Sequence, residues 1–591
     1  MRDVIVIGAG GSGAVVAKEL AGQGLDVLVL EGGPRFAHPR QEWSLLENDA
    51  NNVVSGYLRV GPADRARSQW FRELPQDAYL WQASGVGGST LSYYANSPRA
   101  YPGVFAGYNG ADAANYDVAH LFPFPYEELV PYYQWVEATL PVQTAAMGTK
   151  DELFFRGCET LGLPVQTTKT TYRAAYRPQE NAILQPGGQA GRTTDRSLLS
   201  YPTSTGCTFC GHCEQGCMQP INVPRNLTAK RSTDNSYVPM ALTADVWARQ
   251  GKPATLVADA MVTKIRAEQV GGKLTAKGVT WRNTRTGETH TEDGKVVVMA
   301  GGAIESPRLW FNSGLPNPNG AVGRGYTDHY MDWLIGIFDE DTGNSRGPSS
   351  SARCDFPGYG VVQNAGYGPS IGALSMAFSD SGVRNMYTNG RGMTGPWDGP
   401  TGRIVGPELK AVMRNGIDRI LNAMCLVDDD VTSTNRINLS ALPPDENGAM
   451  ARVEIHQRQR SARSVRNREF LARQASALLR GAGARTVYRM DFAPVMLHVH
   501  STMRMGLSES DTVVDANAEA RAVRRLFVAD NSALANSVGG ANPTLTTQAL
   551  ATRTAEKVLQ RYFGGRPWVS QQAPVASTDP RITARLARLG L

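Results

Sequence analysis

Residues 3 to 13, Asp3-Val4-Ile5-Val6-Ile7-Gly8-Ala9-Gly10-Gly11-Ser12-Gly13, constrain this chain more than any other stretch. An apolar, mostly β-branched run enters Gly-x-Gly-x-x-Gly, and a helical pattern follows in Ala14, Val15, Val16, Lys18 and Leu20. A second apolar run, Val27 to Leu30, ends at Glu31. Strand, glycine turn, helix and strand in that order are what a dinucleotide requires. Gly8 permits the tight turn, Gly10 lets a pyrophosphate approach the backbone, and Gly13 lets helix and strand pack closely. The turn, Ser12 included, presents a helix N-terminus to the phosphate charge. Glu31 is placed to accept hydrogen bonds from a ribose hydroxyl, and an acid there argues against a 2′-phosphate and hence against NADP.

With 591 residues the chain exceeds one core, so two or three domains are expected. A net charge of +6 with no basic stripe makes nucleic acid an unexpected partner. No apolar run approaches the ~20 residues that span a bilayer. The N-terminus enters a strand almost at once and leaves no room for a signal peptide. The expectation is a cytoplasmic protein, with export of the folded chain alongside a partner as the alternative.

Further along, Gly85-Val86-Gly87-Gly88-Ser89 forms a second glycine loop able to press backbone N–H groups against phosphate or a flat ring. A helix is expected to end near Leu140, and the polar residues 165 to 205 to form a long surface loop or lid. Lys295 to Gly302 reads as a buried strand ending in small residues, with a helix starting at Glu305, which repeats the N-terminal logic. Residues 340 to 490 alternate as strands around one charged helix at about Ser464 to Leu479, an α+β pattern. A short strand at Phe527–Asp530 and a helix from Thr544 to Gln560 restore α/β character. The fold class expected is thus a doubly wound α/β domain with a second, α+β domain.

Four of the seven cysteines, Cys207, Cys210, Cys213 and Cys217, have the C-x2-C-x2-C-x3-C spacing of bacterial ferredoxins, with Met218 where proline usually follows. They are the expected ligands of one iron–sulfur cluster, with zinc on four thiolates or reduced thiols in a compact loop as alternatives. After a linker at 565 to 580, Arg581, Arg585 and Arg588 share a helical face beside Ile582, Leu586 and Leu589. This short helix either packs on its own domain or docks to a partner subunit or an anionic membrane surface.

Taken together, Gly8 to Gly13 with Glu31, Gly85 to Ser89, Ala300 to Leu309, Val322 to His329, His498 to Gly506 and Val528 to Ala551 resemble the glucose-methanol-choline (GMC) flavin oxidoreductases. The resemblance implies FAD rather than NAD. It implies a discontinuous Rossmann-like FAD domain from residues 1–100, 205–325 and 491–564, a substrate domain built on an antiparallel sheet from 101–204 and 326–490, and a terminal segment 565–591. Gly87 to Ser92 lacks the histidine or cysteine that would bond a flavin, so FAD is expected to be non-covalent. Val262 is expected against the adenine, Ala300 and Gly301 at a third glycine turn, and Asp530, Asn542, Pro543 and Thr544 around the ribityl, pyrophosphate and ring. His498-Val499-His500-Ser501-Thr502-Met503-Arg504-Met505-Gly506 looks like the family's catalytic stretch, with Ser501 where glycine is usual.

The resemblance makes His498 the base that takes a hydroxyl proton as hydride passes to flavin N5, and Asn542 the amide that positions the oxygen. His500 stands behind His498. The substrate implied is a sugar, glycoside or polyol. Electrons would pass to an external acceptor or partner subunit, relayed through the cluster in a dehydrogenase. The alternatives are an oxygen-using oxidase of a steroid or aromatic alcohol, or an electron-transfer flavoprotein subunit.

Overall fold

The apolar run that opens the chain forms the strand Arg2–Ile7, which pairs in parallel with Val27–Leu30 on one side and with Thr289–Met299 on the other. Thr255–Val257 adds outside Val27–Leu30 and Leu526–Val528 outside Thr289–Met299, both parallel. Counted along the chain, these five strands stand in the order 3-2-1-4-5. Strand order reverses between Arg2–Ile7 and Thr289–Met299. In a doubly wound sheet that reversal opens a crevice at the carboxyl ends of the two strands. Those ends are Gly8 and Ala300. The strands are covered on both faces, which is why Val4 to Ile7 and Val296 to Met299 are continuously apolar rather than alternating. The structure is a computed structural model. It describes residues 1–36, 59–60, 70–73, 79–80, 82–187, 205–217, 219–220, 223–366, 395–398, 406–455, 460–489 and 495–591.

An antiparallel meander, Ala260–Val270 and Lys273–Asn283 against the first half of Thr289–Met299, extends the sheet. The helices Gly13–Gly22, Tyr126–Thr139 and Thr544–Phe563 pack on one another beside it.

A second sheet of six strands is antiparallel throughout, in the spatial order Thr486–Arg489, Asp332–Ile337, Ile420–Val427, Gly360–Asn364, Ala352–Phe356 and Ala175–Pro178. Strand Ile420–Val427 shows the period of two by which a strand serves two faces. Leu421, Ala423 and Cys425 pack under the helix Ala462–Gly481, against Leu471, Ala475 and Leu478. Met424 and Leu426 join the core shared with the first sheet. The fold class is therefore the expected one: a Rossmann-like α/β sheet joined to an antiparallel sheet with helices.

One expectation is overturned. Part of the stretch 165 to 205 is not a surface loop: Ala175–Pro178 is the edge strand of the second sheet, and Ala175, Arg177, Gln179 and Asn181 are buried. Their polarity is matched by partners distant in sequence. Gln179 donates to Ser350 Oγ at 3.2 Å and Gln363 Oε1 at 2.9 Å, Asn181 donates to the Ser350 carbonyl at 2.8 Å, and Arg177 pairs with Asp355 at 3.3 Å. Residues 188–204 of that stretch lie outside the described residues.

At the C-terminus, the helix Pro580–Leu589 sets Ile582 and Leu586 against Met240, and Arg585 pairs with Asp245 at 3.1 Å. Its apolar face lies on its own chain. Among the described residues, no helix is long and apolar enough to cross a membrane.

Candidate active site

A cavity of about 310 Å³ opens at the crevice between Gly8 and Ala300. Gly8 has φ +102°, a conformation that favours glycine, and a Cβ on it would stand 2.5 Å from the Ala300 carbonyl oxygen. A Cβ on Gly13 would collide with the Gly8 carbonyl. Gly10 is different: the nearest atom to its Cβ position is Gly88 Cα, 3.7 Å away. The two glycine loops thus press together, with the Gly87 N–H donating to the Ala9 carbonyl at 3.0 Å. Glu31, at the end of its strand, is buried and accepts from the Ala9 N–H at 2.8 Å and the Gly33 N–H at 2.9 Å. Burial pushes its carboxyl up to about 7 despite those bonds.

The residues expected around a cofactor gather on this one cavity. Gly8, Gly10, Ser12, Glu31, Gly85, Gly88 and Ser89 line it. So do Val262, Ala300, Gly301, Asp530, Pro543 and Thr544. Gly13 and Gly87 do not line it; they hold the turn and the loop that do. Asp530 spends its carboxylate within the fold, accepting from the Gly302 N–H, the Ser306 hydroxyl and the Ser532 N–H.

At the other end the cavity reaches His498 and Asn542, with Met424 contributed by the antiparallel sheet and Leu497 beside His498. Asn542 is buried, and among the described residues its amide oxygen has no hydrogen-bond partner. His498 Nδ1 lies 3.0 Å from Nδ1 of His329, whose Nε2 lies 3.0 Å from the Ser537 carbonyl oxygen. Burial and the neighbouring His329 and His500 hold His498 well below the ordinary histidine range, and burial lowers His329 to about 4. Both rings are neutral near pH 7. His500 is buried, contacts Ser501 Oγ at 3.1 Å and does not line the cavity. His329 is a residue that sequence reasoning missed: it was visible only as the end of a motif, and nothing local tells which strand it faces. Asn96, Tyr94 and Glu214 also line the cavity unforeseen.

The glycine cradle, with backbone open to the cavity at Gly10, an acid at the ribose position and, among the described residues, an unpartnered buried amide oxygen at Asn542, suits FAD. The four clustered cysteines are free thiols, and among the described residues no three or more histidine, cysteine or carboxylate side chains form a group able to hold a metal ion. The expected cluster on Cys207, Cys210, Cys213 and Cys217 is therefore not supported. The buried ammonium of Lys230 donates to the carbonyls of Cys213, Leu91 and Tyr93 and so fixes the backbone at Cys213.

A doubly wound sheet with a glycine cradle at its switch point, roofed by an antiparallel sheet over a histidine-bearing cavity, defines a flavin-dependent oxidoreductase. Family models described as GMC oxidoreductase match residues 175–331 and 427–551, and one described as FAD binding domain matches residues 3–44. The chain belongs to the GMC oxidoreductases. It is 26% identical to paromamine 6'-oxidase of Streptomyces fradiae, over 94% of this chain and 91% of that protein. It is also 26% identical to 2-methyl-1,2-propanediol dehydrogenase of Mycolicibacterium austroafricanum, over 95% of each. It is 23% identical to the fructose dehydrogenase large subunit of Gluconobacter japonicus, over 94% of this chain and 97% of that one. The fold is shared with the crystal structure of pyridoxine 4-oxidase from Mesorbium loti (TM-score 0.56, 15% identity, 96% of this chain and all of that one) and with formate oxidase (TM-score 0.57, 12% identity, 95% and 99%).

Proposed function

We propose that this enzyme oxidises an alcohol group of a polyhydroxylated substrate, a sugar, glycoside or polyol, with His498 as the base. FAD, bound non-covalently along the Gly8–Gly13 turn, Glu31 and the Gly85–Ser89 loop, supplies the acceptor for the hydride leaving the substrate carbon. His498 takes the hydroxyl proton, so that proton and hydride leave the same C–OH unit and a carbonyl forms. Asn542 holds the substrate oxygen through its amide, and as an amide it cannot compete for the proton. The observation that carries this reading is that His498 and Asn542 line one cavity with the glycine cradle.

The substrate class draws support from the relatives named after paromamine, a propanediol and fructose, and from the polar Asn96 and Glu214 in the cavity wall. The same relatives include oxidases and dehydrogenases. The preference for an outside acceptor draws on an iron–sulfur relay that has no support among the described residues, so dehydrogenase and oxidase chemistry both stand open to the acceptor test below.

The test is anaerobic flavin reduction with a panel of sugars, polyols and apolar alcohols, in wild type and His498→Ala. Reduction by polyhydroxylated substrates, slowed at least ~100-fold in His498→Ala, is expected. An unaffected variant would sink the reading. Mixing the reduced enzyme with oxygen, then with quinone or dye acceptors, assigns the acceptor.

A further inference from the structure

We propose that His329 is a positioning residue that decides which nitrogen of His498 is free to take the substrate's proton, and that the carbonyl of Ser537 is the fixed end of this chain. The proposal rests on His498 being the base.

Thr327 and His500 exchange backbone hydrogen bonds, Thr327 N–H to His500 O at 3.2 Å and His500 N–H to Thr327 O at 2.9 Å. The bridge is antiparallel, so two residues further in the opposite senses His329 stands across from His498. Their rings meet edge to face, centroids 4.8 Å apart, with the two Nδ1 atoms at 3.0 Å. Nitrogens at that distance share one proton, and the question is which ring owns it.

Ser537 answers it. A carbonyl oxygen only accepts, so His329 must donate from Nε2 across the 3.0 Å contact. A neutral imidazole with its proton on Nε2 has a bare Nδ1. The shared proton therefore belongs to His498 Nδ1, and neutral His498 keeps its lone pair on Nε2. The opposite arrangement would set the bare Nε2 of His329 against the lone pairs of the Ser537 oxygen.

The anchor is firm. The Ser537 hydroxyl donates to Asp428 and accepts from the Asp429 N–H at 3.0 Å, just beyond the strand Ile420–Val427. The Asn536 amide donates to the carbonyls of Val104 at 3.1 Å and His120 at 2.7 Å. Contacts at the end of an antiparallel-sheet strand thereby set the tautomer of the base.

The groups acting electrostatically on the two rings are His329 and His500 on His498, and Arg353 on His329. A carboxylate in the place of His329 would raise the basicity of His498 and hold the transferred proton. A neutral ring orients His498 without holding the proton.

The test uses FAD-loaded protein and three replacements. His329→Phe keeps a planar ring but removes both hydrogen-bonding nitrogens. His329→Leu removes the same groups with a different shape, should the first not retain FAD. His329→Gln keeps one donor for Ser537 and one acceptor for His498. The limiting rate of alcohol-driven flavin reduction is expected to fall about tenfold or more in the apolar variants with substrate affinity little changed, and to return largely in His329→Gln. An apolar variant within about twofold of wild type overturns the proposal, as does a glutamine variant as slow as the apolar ones at equal FAD content. His498→Ala in the same series separates the failures. If it reduces flavin normally, the base assignment falls; if it alone is inactive, the assignment stands and the role of His329 falls.

Discussion

Asp530 and Ser306 meet at 2.6 Å, hydroxyl to carboxylate, and the same carboxylate oxygen accepts the Gly302 N–H at 3.0 Å. The last parallel strand of the Rossmann-like sheet thereby closes the start of the helix Gly302–Asn312, while the other oxygen of Asp530 holds the Ser532 N–H at 2.8 Å. Asp530→Ala would leave three donors at a largely buried position without their acceptor. Each such donor costs about 1–3 kcal/mol, so denaturant unfolding is expected to show a loss of about 3 kcal/mol, with reduced FAD retention. A loss under about 1 kcal/mol would mean that the carboxylate matters to the ligand alone.

The glycines of the first turn separate folding from cofactor binding. A methyl at Gly13 runs into the Gly8 carbonyl, so Gly13→Ala is expected to destabilise the apoprotein itself. A methyl at Gly10 meets only Gly88 Cα at 3.7 Å, ordinary contact, yet it stands where backbone must approach a pyrophosphate. Gly10→Ala should therefore melt within about 1 °C of wild type as apoprotein while binding FAD at least ~10-fold more weakly. Equal melting losses in both variants would contradict this separation.

These contrasts also show what a sequence reveals here. The strand–turn–helix at Val4 to Gly13 is legible because every requirement is local: β-branched residues, glycines at fixed offsets, a helix pattern. The pairing of His329 with His498 is not, because it depends on the Thr327–His500 register between segments 169 residues apart. Gln179 and Asn181 read as surface because their buried partners, Ser350 and Gln363, lie far along the chain.

Glu31 predicts a pH dependence of cofactor binding. Its carboxyl titrates at about 7 because burial disfavours the charge. Only the carboxylate offers all its lone pairs to a ribose hydroxyl, so FAD affinity is expected to rise with pH up to about 7, by at most about tenfold per unit, and then level off. The same shift has the opposite sign for apoprotein stability. The folded state holds this proton between 4.5 and about 7 where the unfolded state has lost it, so Glu31's own contribution declines as pH rises through that window. Fluorescence titrations of FAD from pH 5.5 to 8.5 would check the affinity, and a wild-type profile as flat as that of Glu31→Gln would refute the assignment.

The pH profile of the reaction itself follows from His498. A base must be unprotonated, and burial with two neighbouring imidazoles disfavours its cation. Lowering a base's pKa keeps the active form present at more acidic pH, so the limiting rate of flavin reduction should be level from pH 8 through the usual histidine pKa of ~6.5, falling only well below it. His329 and His500 should not add an acid limb near neutrality, since burial keeps them neutral there too. Stopped-flow reduction under anaerobic conditions across that range is the measurement. A single ionisation near 6.5 in wild type, absent from His498→Ala, would mean that the working imidazole is solvated rather than buried, and the neutral His498–His329 pair would have to be abandoned.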